Sequence, residues 1–496
     1  MYHFLIFAIL VVVLTVYFVC ESRQKSTVEW RSIVSPNGDK LPDFSFSGYH
    51  NSEVSLPTVT TADVTLSLSN STYDDISPLI QKAIDSVAIS GGGVVELPSG
   101  KFPISAGIQL RTNVTVRGSK SGETLLILKE QPSSPVFTLG NIGNASKAEY
   151  GAKSRIIDDY VPIGSSILNV RNNTKFSVNQ TVYISRATTE SWIRYNGMGD
   201  LVRDGDAQTW ITLDKKIMSP NVIKAMNGTE LTLEIPLTDA LDSRYMKAEV
   251  WAYKPPEQYS EMGLYNLHIQ VPNTCSGAPL VNETCNFAAV KFPSWTIDSW
   301  ASGLKLEGFN RFFEVETDAS RITIQDVEMN RDHDIEGRAL PIDILIQGSQ
   351  VLVQDCKQIG LPTARCFSVA TDSLAAGPNS VIRHSTMSDI QTIYPHERWA
   401  HGLLVEGTSV PTLFVNRASN GTGHGWTINA GVGWNLRGEV IVQSPPLGIN
   451  WCIGCGGTNG TNGTDGASGN GTFIRTGKEV KPKSLFEAQR EARGLH

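Results

Sequence analysis

The stretches Arg321-Ile-Thr-Ile-Gln-Asp326 and Gln350-Val-Leu-Val-Gln-Asp355 share one alternating apolar pattern that ends on an aspartate. Ser380-Val-Ile-Arg-His384 and Thr412-Leu-Phe-Val-Asn-Arg417 continue the series, so that the aligned end residues are 29, 29 and 33 positions apart. Two or three short strands in each repeat of about 30 residues are typical of one coil of a parallel β-helix. A single coil cannot bury its apolar face, so the core requires stacked coils.

The rest of the chain fits this architecture. Ile76, Ile80, Ala83, Ile84 and Val87 lie on one helical stripe, which predicts a capping helix over residues 75–89, and a short final helix is predicted over 484–493. We therefore predict an all-β, right-handed parallel β-helix domain over residues 41–496. Residues 160–256 break the rhythm and predict a β-rich insertion, and residues 454–472 predict a flexible Gly/Asn/Thr-rich loop. A series of β-sandwich hairpins is the competing architecture.

Composition restricts the class of protein. The chain has 496 residues, of which 40% are hydrophobic, 18% are charged and 44 are glycine, and this excludes collagen-like, coiled-coil and disordered proteins. With 42 basic and 49 acidic residues the net charge is −7, so nucleic acid is not an expected partner. An anionic polymer could still bind a local cationic groove.

The amino end predicts export. Phe4 to Cys20 carries no charge and predicts a signal peptide within residues 1–22, or a membrane anchor through residues 4–20. Either alternative places the remaining chain in the secretory lumen or outside the cell. Eleven glycosylation sequons support a secreted glycoprotein, at Asn70, Asn113, Asn144, Asn172, Asn179, Asn227, Asn282, Asn420, Asn459, Asn462 and Asn470.

Cysteine spacing predicts disulfides. Seven cysteines are present, and removal of Cys20 with the leader leaves six. Proximity along the chain suggests the pairs Cys275–Cys285, Cys356–Cys366 and Cys452–Cys455, which an oxidising compartment favours over metal ligation.

Four segments near the amino end form one pattern. They are Asp74-Asp75, the helix containing Gln81-Lys-Ala-Ile84, the run Gly91-Gly-Gly-Val-Val-Glu-Leu-Pro-Ser-Gly100, and Val114-Thr-Val-Arg-Gly118. Together they resemble the amino-terminal region of the pectate-lyase-like superfamily. That resemblance implies a secreted right-handed parallel β-helix that acts on polysaccharides. It does not choose between lyases, hydrolases and epimerases. The chain lacks the carboxylate and arginine set of pectate lyases and the aspartate trio of polygalacturonases.

Two polar clusters are candidate catalytic sites. Asp332, His333, Asp334 and Arg338 offer a base and an anion clamp, or form an exposed turn with local ion pairs. His396, Glu397, Arg398 and His401 combine imidazole, carboxylate and guanidinium groups, with Trp399 as a surface for a sugar ring. The histidine spacing is not that of a helical zinc motif.

Alignment of the coils adds further candidates. Arg365, His401 and His424 align in one column, which predicts either substrate contact or buried corner histidines. Glu406 has the parity of an outward-facing groove residue, whereas Leu403 and Val405 have the parity of the core. His384, Arg417 and Trp426 are candidate substrate-binding residues, although tryptophans in such strands often belong to the core.

These patterns predict a secreted enzyme that degrades an extracellular polysaccharide. A lyase that cleaves an acidic, uronate-containing glycan by β-elimination is favoured, because histidine can act as the base and a cationic groove suits a uronate. A glycoside hydrolase using paired carboxylates and a non-catalytic glycan-binding protein remain as alternatives. We expect a monomer and no cofactor or metal, since no cofactor motif is present, and calcium has no supporting pattern.

Overall fold

The computed structural model describes residues 27–58, 61–68, 73–142, 147–272, 285–335, 340–456 and 467–495. The predicted leader, Cys275, Arg338 and the sequons at Asn70, Asn144, Asn282, Asn459 and Asn462 lie outside these ranges. Within the ranges, no helix is both long and apolar enough to cross a membrane.

Three parallel sheets, named A, B and C here, wrap around one apolar interior. Sheet A contains Val64–Thr65, Gly93–Glu96, Val114–Arg117, Gly263–Tyr265, Ile297–Ser302, Ser320–Gln325, Ser349–Gln354, Ala376–Ile382, Ala400–Glu406, Val432–Trp434, Trp451–Ile453 and Thr472–Ile474, and Ile428–Asn429 pairs beside it. Sheet B contains Gly100–Ile104, Thr124–Leu128, His268–Gln270, Lys305–Glu307, Glu328–Asn330 and Lys357–Gln358. Sheet C contains Ile108–Leu110, Phe137–Leu139, Ala288–Phe292, Arg311–Val315, Ile342–Ile346, Cys366–Thr371, Gln391–Ile393, Thr412–Phe414, Val440–Val442 and Ala467–Ser468.

As far as strand Lys357–Gln358 the chain runs from sheet A to B to C and back to A, and the strands of the later coils alternate between sheets A and C. Each strand pairs in parallel with the equivalent strand of the next coil, as when Ile322 pairs with Val351 and Val353 pairs with Val381. Alternate residues therefore point into a continuous core that includes Leu403 and Val405, as their parity predicted. The parallel β-helix prediction is confirmed, and its all-β class and right-handed coil agree with the structure.

Helices occur mainly at the ends of the solenoid. Helix α1 (Ser77–Ile89) buries Ile80, Ile84 and Val87 against the first coils, and Asp75 accepts from the Ser77 amide at 2.8 Å. This confirms the predicted capping helix. Helix α3 (Leu485–Ala492) begins after Ser484, whose hydroxyl accepts from the Glu487 amide at 3.0 Å.

The insertion is an antiparallel structure set between sheet C and sheet A. Its strands are Glu149–Arg155, Tyr160–Val161, Ile167–Asn169, Thr181–Ala187, Leu201–Arg203, Asp206–Gln208, Lys216–Asn227, Glu230–Leu233, Leu241–Asp242 and Ala248–Lys254, with the short helix α2 (Glu190–Tyr195). It thus begins one strand earlier than the predicted boundary at 160, because Glu149–Arg155 pairs with Ala248–Lys254.

The outer face of sheet A is covered in its late coils. Leu352, Ile382 and Leu404 point outward and pack against Phe44 of the amino-terminal segment and Leu485 of α3. Glu406 does point outward, but it is only 2% exposed because its carboxylate accepts from the Leu485 and Phe486 amides at 2.6 and 3.1 Å. Its predicted role as a groove residue is therefore wrong, and Glu406 caps the start of α3 instead.

The predicted residue columns mix two different sheets. Asp355 is level with Arg383, not His384, and Thr412–Phe414 belongs to sheet C, so Arg417 lies in another row. Arg365 likewise precedes a strand of sheet C, whereas His401 lies in sheet A level with Ala376 and Asn429. The alignment of sequence repeats gives the wrong columns, because strands of different sheets have the same alternation of apolar and polar residues.

Cysteine pairing agrees with the prediction in part. Cys452 and Cys455 form a disulfide, and Cys285 is also disulfide-bonded, while the pairing with Cys275 stays a prediction. Cys356 and Cys366 are buried free thiols, so the predicted bond between them is wrong. Between Cys356 and Cys366 the chain passes through the sheet B strand Lys357–Gln358, and the two sulfur atoms contact different groups.

The glycosylation prediction is compatible with the surface. Asn113, Asn172, Asn179, Asn227, Asn420 and Asn470 are all exposed, as glycan attachment requires. In the predicted 454–472 loop, residues 457–466 lie outside the described ranges. The flanking Ala467–Ser468 forms the last strand of sheet C.

We expect Cys356 and Cys366 to resist alkylation in the native protein, because both thiols are fully buried and burial raises the pKa of Cys356 to about 12. After denaturation without reductant, peptide mass spectrometry should find both residues alkylated. Recovery of a peptide cross-linked through these two cysteines would contradict the structure.

Glu406→Gln should change how stability depends on pH. Burial raises the pKa of Glu406 from 4.5 to about 7, so the folded wild type loses stability as pH rises between these values. The variant should lack this loss and gain up to about 3 kcal/mol relative to wild type above pH 7. Urea unfolding across this range tests it. Glu479→Gln, which alters an exposed pair with Arg437, should shift stability by less than about 1 kcal/mol.

Candidate functional site

The first predicted cluster is a buried structural network. Arg331 is fully buried, forms an ion pair with Asp343, and donates to the side chain and carbonyl of Asn310 at 3.0 and 2.9 Å. Cys366 donates to the other oxygen of Asp343 at 3.3 Å. These groups connect three successive coils. The Arg331 guanidinium is therefore engaged in structural contacts and is not presented to a substrate.

His333 belongs to the same network. It is 3% exposed, with its ring nitrogens 2.7 Å from Asp332 and 2.9 Å from Asn310. Burial lowers its pKa. Asp332 and Asp334 are exposed, and Asp334 accepts from the Ile335 amide at 2.9 Å. The structure therefore does not present His333 to a substrate, contrary to its predicted role as a base.

Other predicted residues are also buried. His384 is 2% exposed with its Nε2 2.5 Å from the Ser368 hydroxyl, and His401 is 1% exposed with its Nδ1 2.7 Å from the Thr238 hydroxyl. Burial lowers the pKa of each histidine to about 4. His401 thus agrees with the predicted alternative of buried histidines for its column, and His424 of the same column is 8% exposed. Arg365, in contrast, is exposed on a separate turn.

The predicted tryptophans are core residues rather than a sugar platform. Trp399 is fully buried and Trp426 is 8% exposed, and they pack with Trp192 and Trp210 of the insertion. Trp192 and Trp210 stack with centroids 4.9 Å apart. This aromatic cluster attaches the insertion to the coils.

In the second predicted cluster, His396, Glu397 and Arg398 lie close together, and His424 joins them. At the turns that lead from sheet C to sheet A, called the C–A corners here, His396 meets His424 with ring centroids 4.8 Å apart. Glu397 forms an ion pair with Arg398 and lies 3.3 Å from His424 Nε2. Arg417 donates to the carbonyl of His396 at 2.9 Å. One donor atom from each of His396, Glu397 and His424 lies within 4.8 Å of the others, which is close enough to hold a metal ion.

A cavity of 590 Å³, called the corner cavity here, adjoins this cluster between the C–A corners and the insertion. The corners contribute Trp295, Thr317–Arg321, Gln347–Gln350, Ser373 and Leu374, and the insertion contributes Tyr150, Thr181, Tyr183, Lys215, Lys216, Met218, Glu234 and Tyr253. Four successive coils supply the corner side, which extends roughly 15 Å at the spacing of stacked strands. The shape suits a linear ligand.

Asp318 is the chemically distinctive group of the corner cavity. The Tyr183 hydroxyl donates to it at 2.9 Å, and Tyr183 stacks on Tyr253 with centroids 4.1 Å apart. Burial raises the pKa of Asp318, and this effect outweighs the hydrogen bond from Tyr183. Asp318 therefore retains its proton at a higher pH than an exposed aspartate. Glu234 is a second carboxylate in the same cavity.

Gln347 joins the cavity to the histidine cluster. It lines the cavity and donates to Asp372 at 3.1 Å, and Asp372 accepts from His396 Nδ1 at 3.1 Å. Sequence reasoning missed Gln347, Asp372 and Asp318. Their common feature is that each follows a sheet C strand by one to three residues, a position that becomes visible only when the strands are assigned to sheets.

Comparisons with known proteins return structural neighbours only. No protein-family model matches the chain, and no curated protein matches it. The Gp54 tailspike of Acinetobacter baumannii bacteriophage AP22, in complex with A. baumannii capsular saccharide, has 8% identity and a TM-score of 0.25 over 82% of this chain and 73% of its own. A mutant tailspike of E. coli bacteriophage HK620 with a pentasaccharide has 10% identity and a TM-score of 0.39, over 87% and 60%. The gp49 tailspike of Pseudomonas phage LKA1 has 11% identity and a TM-score of 0.26, over 79% and 69%.

The chain therefore spans about three fifths of the HK620 tailspike. At these TM-scores the fold assignment depends on the strand pairing within the chain itself. Membership of the pectate-lyase-like superfamily stays a prediction.

Arg331→Met should destabilise the protein by about 3–5 kcal/mol, because it leaves Asp343 buried without its partner. Arg383→Met is the matched control, since it breaks an exposed arginine–aspartate pair on the same solenoid and should cost less than about 1 kcal/mol. Urea unfolding of both variants measures the difference. Equal losses of stability would contradict a structural role for Arg331.

Proposed function

We propose that this protein is a secreted enzyme that binds an extracellular polysaccharide in the corner cavity and hydrolyses it. The observation that carries the proposal is the content of this cavity, in which aromatic side chains, two lysines and a carboxyl group with a raised pKa lie together. Cavities with aromatic walls and a few convergent polar groups are the usual sites of ligand binding.

Binding of the polymer depends on the walls of the cavity. Tyr150 is half exposed, and it lies in the insertion with Tyr183 and Tyr253. The tyrosine rings offer apolar faces, and their hydroxyls can donate to sugar oxygens. Lys215 and Lys216 lie in the same wall and favour a polymer that carries carboxylates.

The hydrolytic part of the proposal is supported by two carboxyl groups in the cavity. Glycoside hydrolysis needs one carboxylic acid to protonate the leaving oxygen and one carboxylate to act as base or nucleophile. Asp318 has the raised pKa of the acid, and Glu234 is the carboxylate in the opposite wall, 3.2 Å from Lys224 Nζ. The two groups differ in environment, as the two roles require.

Elimination is the second candidate reaction, favoured by the lysines. They would offset the charge of a uronate carboxylate, and Asp318 would protonate the leaving oxygen. None of the candidate histidines lines the cavity. His333, His401 and His424 are each less than a tenth exposed, and His396 is connected to the cavity through Asp372 and Gln347. We therefore rank hydrolysis above the elimination that the sequence favoured.

The test is a digest of acidic and neutral polysaccharides with the purified protein. New reducing ends without ultraviolet absorbance indicate hydrolysis, whereas both signals together indicate elimination. Binding without cleavage would overturn the catalytic part, and neither binding nor cleavage would overturn the proposal.

Asp318→Asn should lower kcat by about 10²–10⁴-fold, because the amide cannot deliver the proton. Polymer affinity should change by less than about threefold if Asp318 acts mainly in the transition state. Asp355→Asn, at a partly exposed aspartate paired with Arg383 away from the cavity, is the control and should keep full activity. Undiminished turnover by Asp318→Asn would remove Asp318 from the mechanism.

A further inference from the structure

The C–A corner beyond the cavity brings together three candidate residues that the sequence did not group and that the proposed hydrolysis does not use. His396 and Glu397 follow the sheet C strand Gln391–Ile393, and His424 arrives from the next coil, after Thr412–Phe414. One ligand atom from each of the three lies within 4.8 Å of the others. We propose that His396, Glu397 and His424 bind a divalent transition-metal ion of the zinc class.

The three ligand atoms lie within 4.8 Å of one another, and one pair has the spacing that such an ion requires. His424 Nε2 and Glu397 Oε2 are 3.3 Å apart. Two ligands at 2.0–2.1 Å from a tetrahedral zinc ion are separated by roughly 3.3 Å, the same spacing. Two imidazoles and one carboxylate form a known three-residue zinc set that leaves a fourth position for water or substrate. Calcium and magnesium prefer oxygen ligands and are not expected here.

The residues around the ligands are arranged as an outer shell. Asp372 accepts from His396 Nδ1 at 3.1 Å, which selects the tautomer whose Nε2 carries the lone pair. Gln347 donates to the other oxygen of Asp372 at 3.1 Å and fixes its orientation. A carboxylate that orients a histidine is the usual support of a zinc ligand, and it is independent of the ligand distances.

His424 is the most buried of the three ligands. Its side chain is nine-tenths buried, and its Nε2 faces Glu397 Oε2 at 3.3 Å. Its other ring nitrogen, Nδ1, has no hydrogen-bond partner among the described residues and lies outside the ligand set.

The charges of the corner are balanced before an ion binds. Asp372 and Glu397 are acidic, and Arg398 and Arg417 contact Glu397 and the His396 carbonyl respectively. A bound dication would therefore leave the corner positive, which favours an anionic group at the open coordination position. This corner adjoins the cavity through Ser373 and Leu374, which follow Asp372 directly.

The backbone also fits around His424. Gly421 has a φ of +63°, and a Cβ placed there would lie 1.8 Å from His424 Nε2. Arg203 of the insertion donates to the Gly421 carbonyl at 2.5 Å and holds this turn over the ring. Any side chain at 421 would therefore displace His424 from Glu397.

The experiment uses the full-length secreted protein without a histidine tag, stripped with chelator and titrated with Zn²⁺ by calorimetry. We expect one equivalent to bind, and Co²⁺ to give the visible absorption of a tetrahedral site. His424→Gln and Glu397→Gln should each weaken binding by at least about 100-fold, since each removes a ligand. Asp372→Asn should weaken it by about 10–100-fold.

Two variants make the test specific. Gly421→Ala retains every ligand but should weaken binding by displacing His424, and circular dichroism checks that it folds. His50→Gln, at a histidine that faces Glu261 and Asp298 without a second imidazole nearby, should bind as wild type. Excess Ca²⁺ should not displace Zn²⁺.

Failure to bind one equivalent, or unchanged binding in His424→Gln and Glu397→Gln, would overturn the proposal. None of these measurements involves a polysaccharide, so their outcome is separate from that of the hydrolysis proposal.

Discussion

The structure depends on the hydrogen bonds between successive coils. A two- to seven-residue strand has little apolar surface of its own, and it becomes stable only because equivalent faces stack above and below it. The parallel pairing of sheet A from Val64–Thr65 to Thr472–Ile474 fixes this stack and sets the direction in which every side chain points. The same pairing places all C–A corners in one row, so residues far apart in sequence become neighbours.

A second interaction decides where the site can form. The insertion is held on the coils by Asp239, which pairs with Arg186 at 2.6 Å and accepts from Trp399 and Asn429 of the coils at 3.2 and 3.0 Å. The Arg186 guanidinium lies 4.4 Å from the Trp192 ring, which compensates for the lack of further hydrogen-bond partners. Because the insertion is fixed in this way, its tyrosines face the corners and enclose a cavity that the coils alone would leave open.

Buried charged groups have two kinds of surroundings in this fold. Arg331 with Asp343 and Glu406 with α3 have permanent protein partners for their charges. Asp318, at a corner under the insertion, instead lines a cavity and has a raised pKa because of burial. A perturbed carboxyl group beside a cavity is what distinguishes a candidate functional region from a structural network.

The sequence alone determined the β-helix, the capping helix, the insertion and the inward parity of Leu403 and Val405, because these follow from local periodicity and from the need to stack. It also singled out His396, Glu397 and His424, although not as one group. It could not show that Glu406 lies under α3 or that His333 is buried in contact with Asn310. Nor could it show that Asp318, Gln347 and Asp372 lie on one side of the solenoid. Those facts depend on which sheet each strand joins and on what covers it. Strands of different sheets carry the same alternation, so only the tertiary structure distinguishes them.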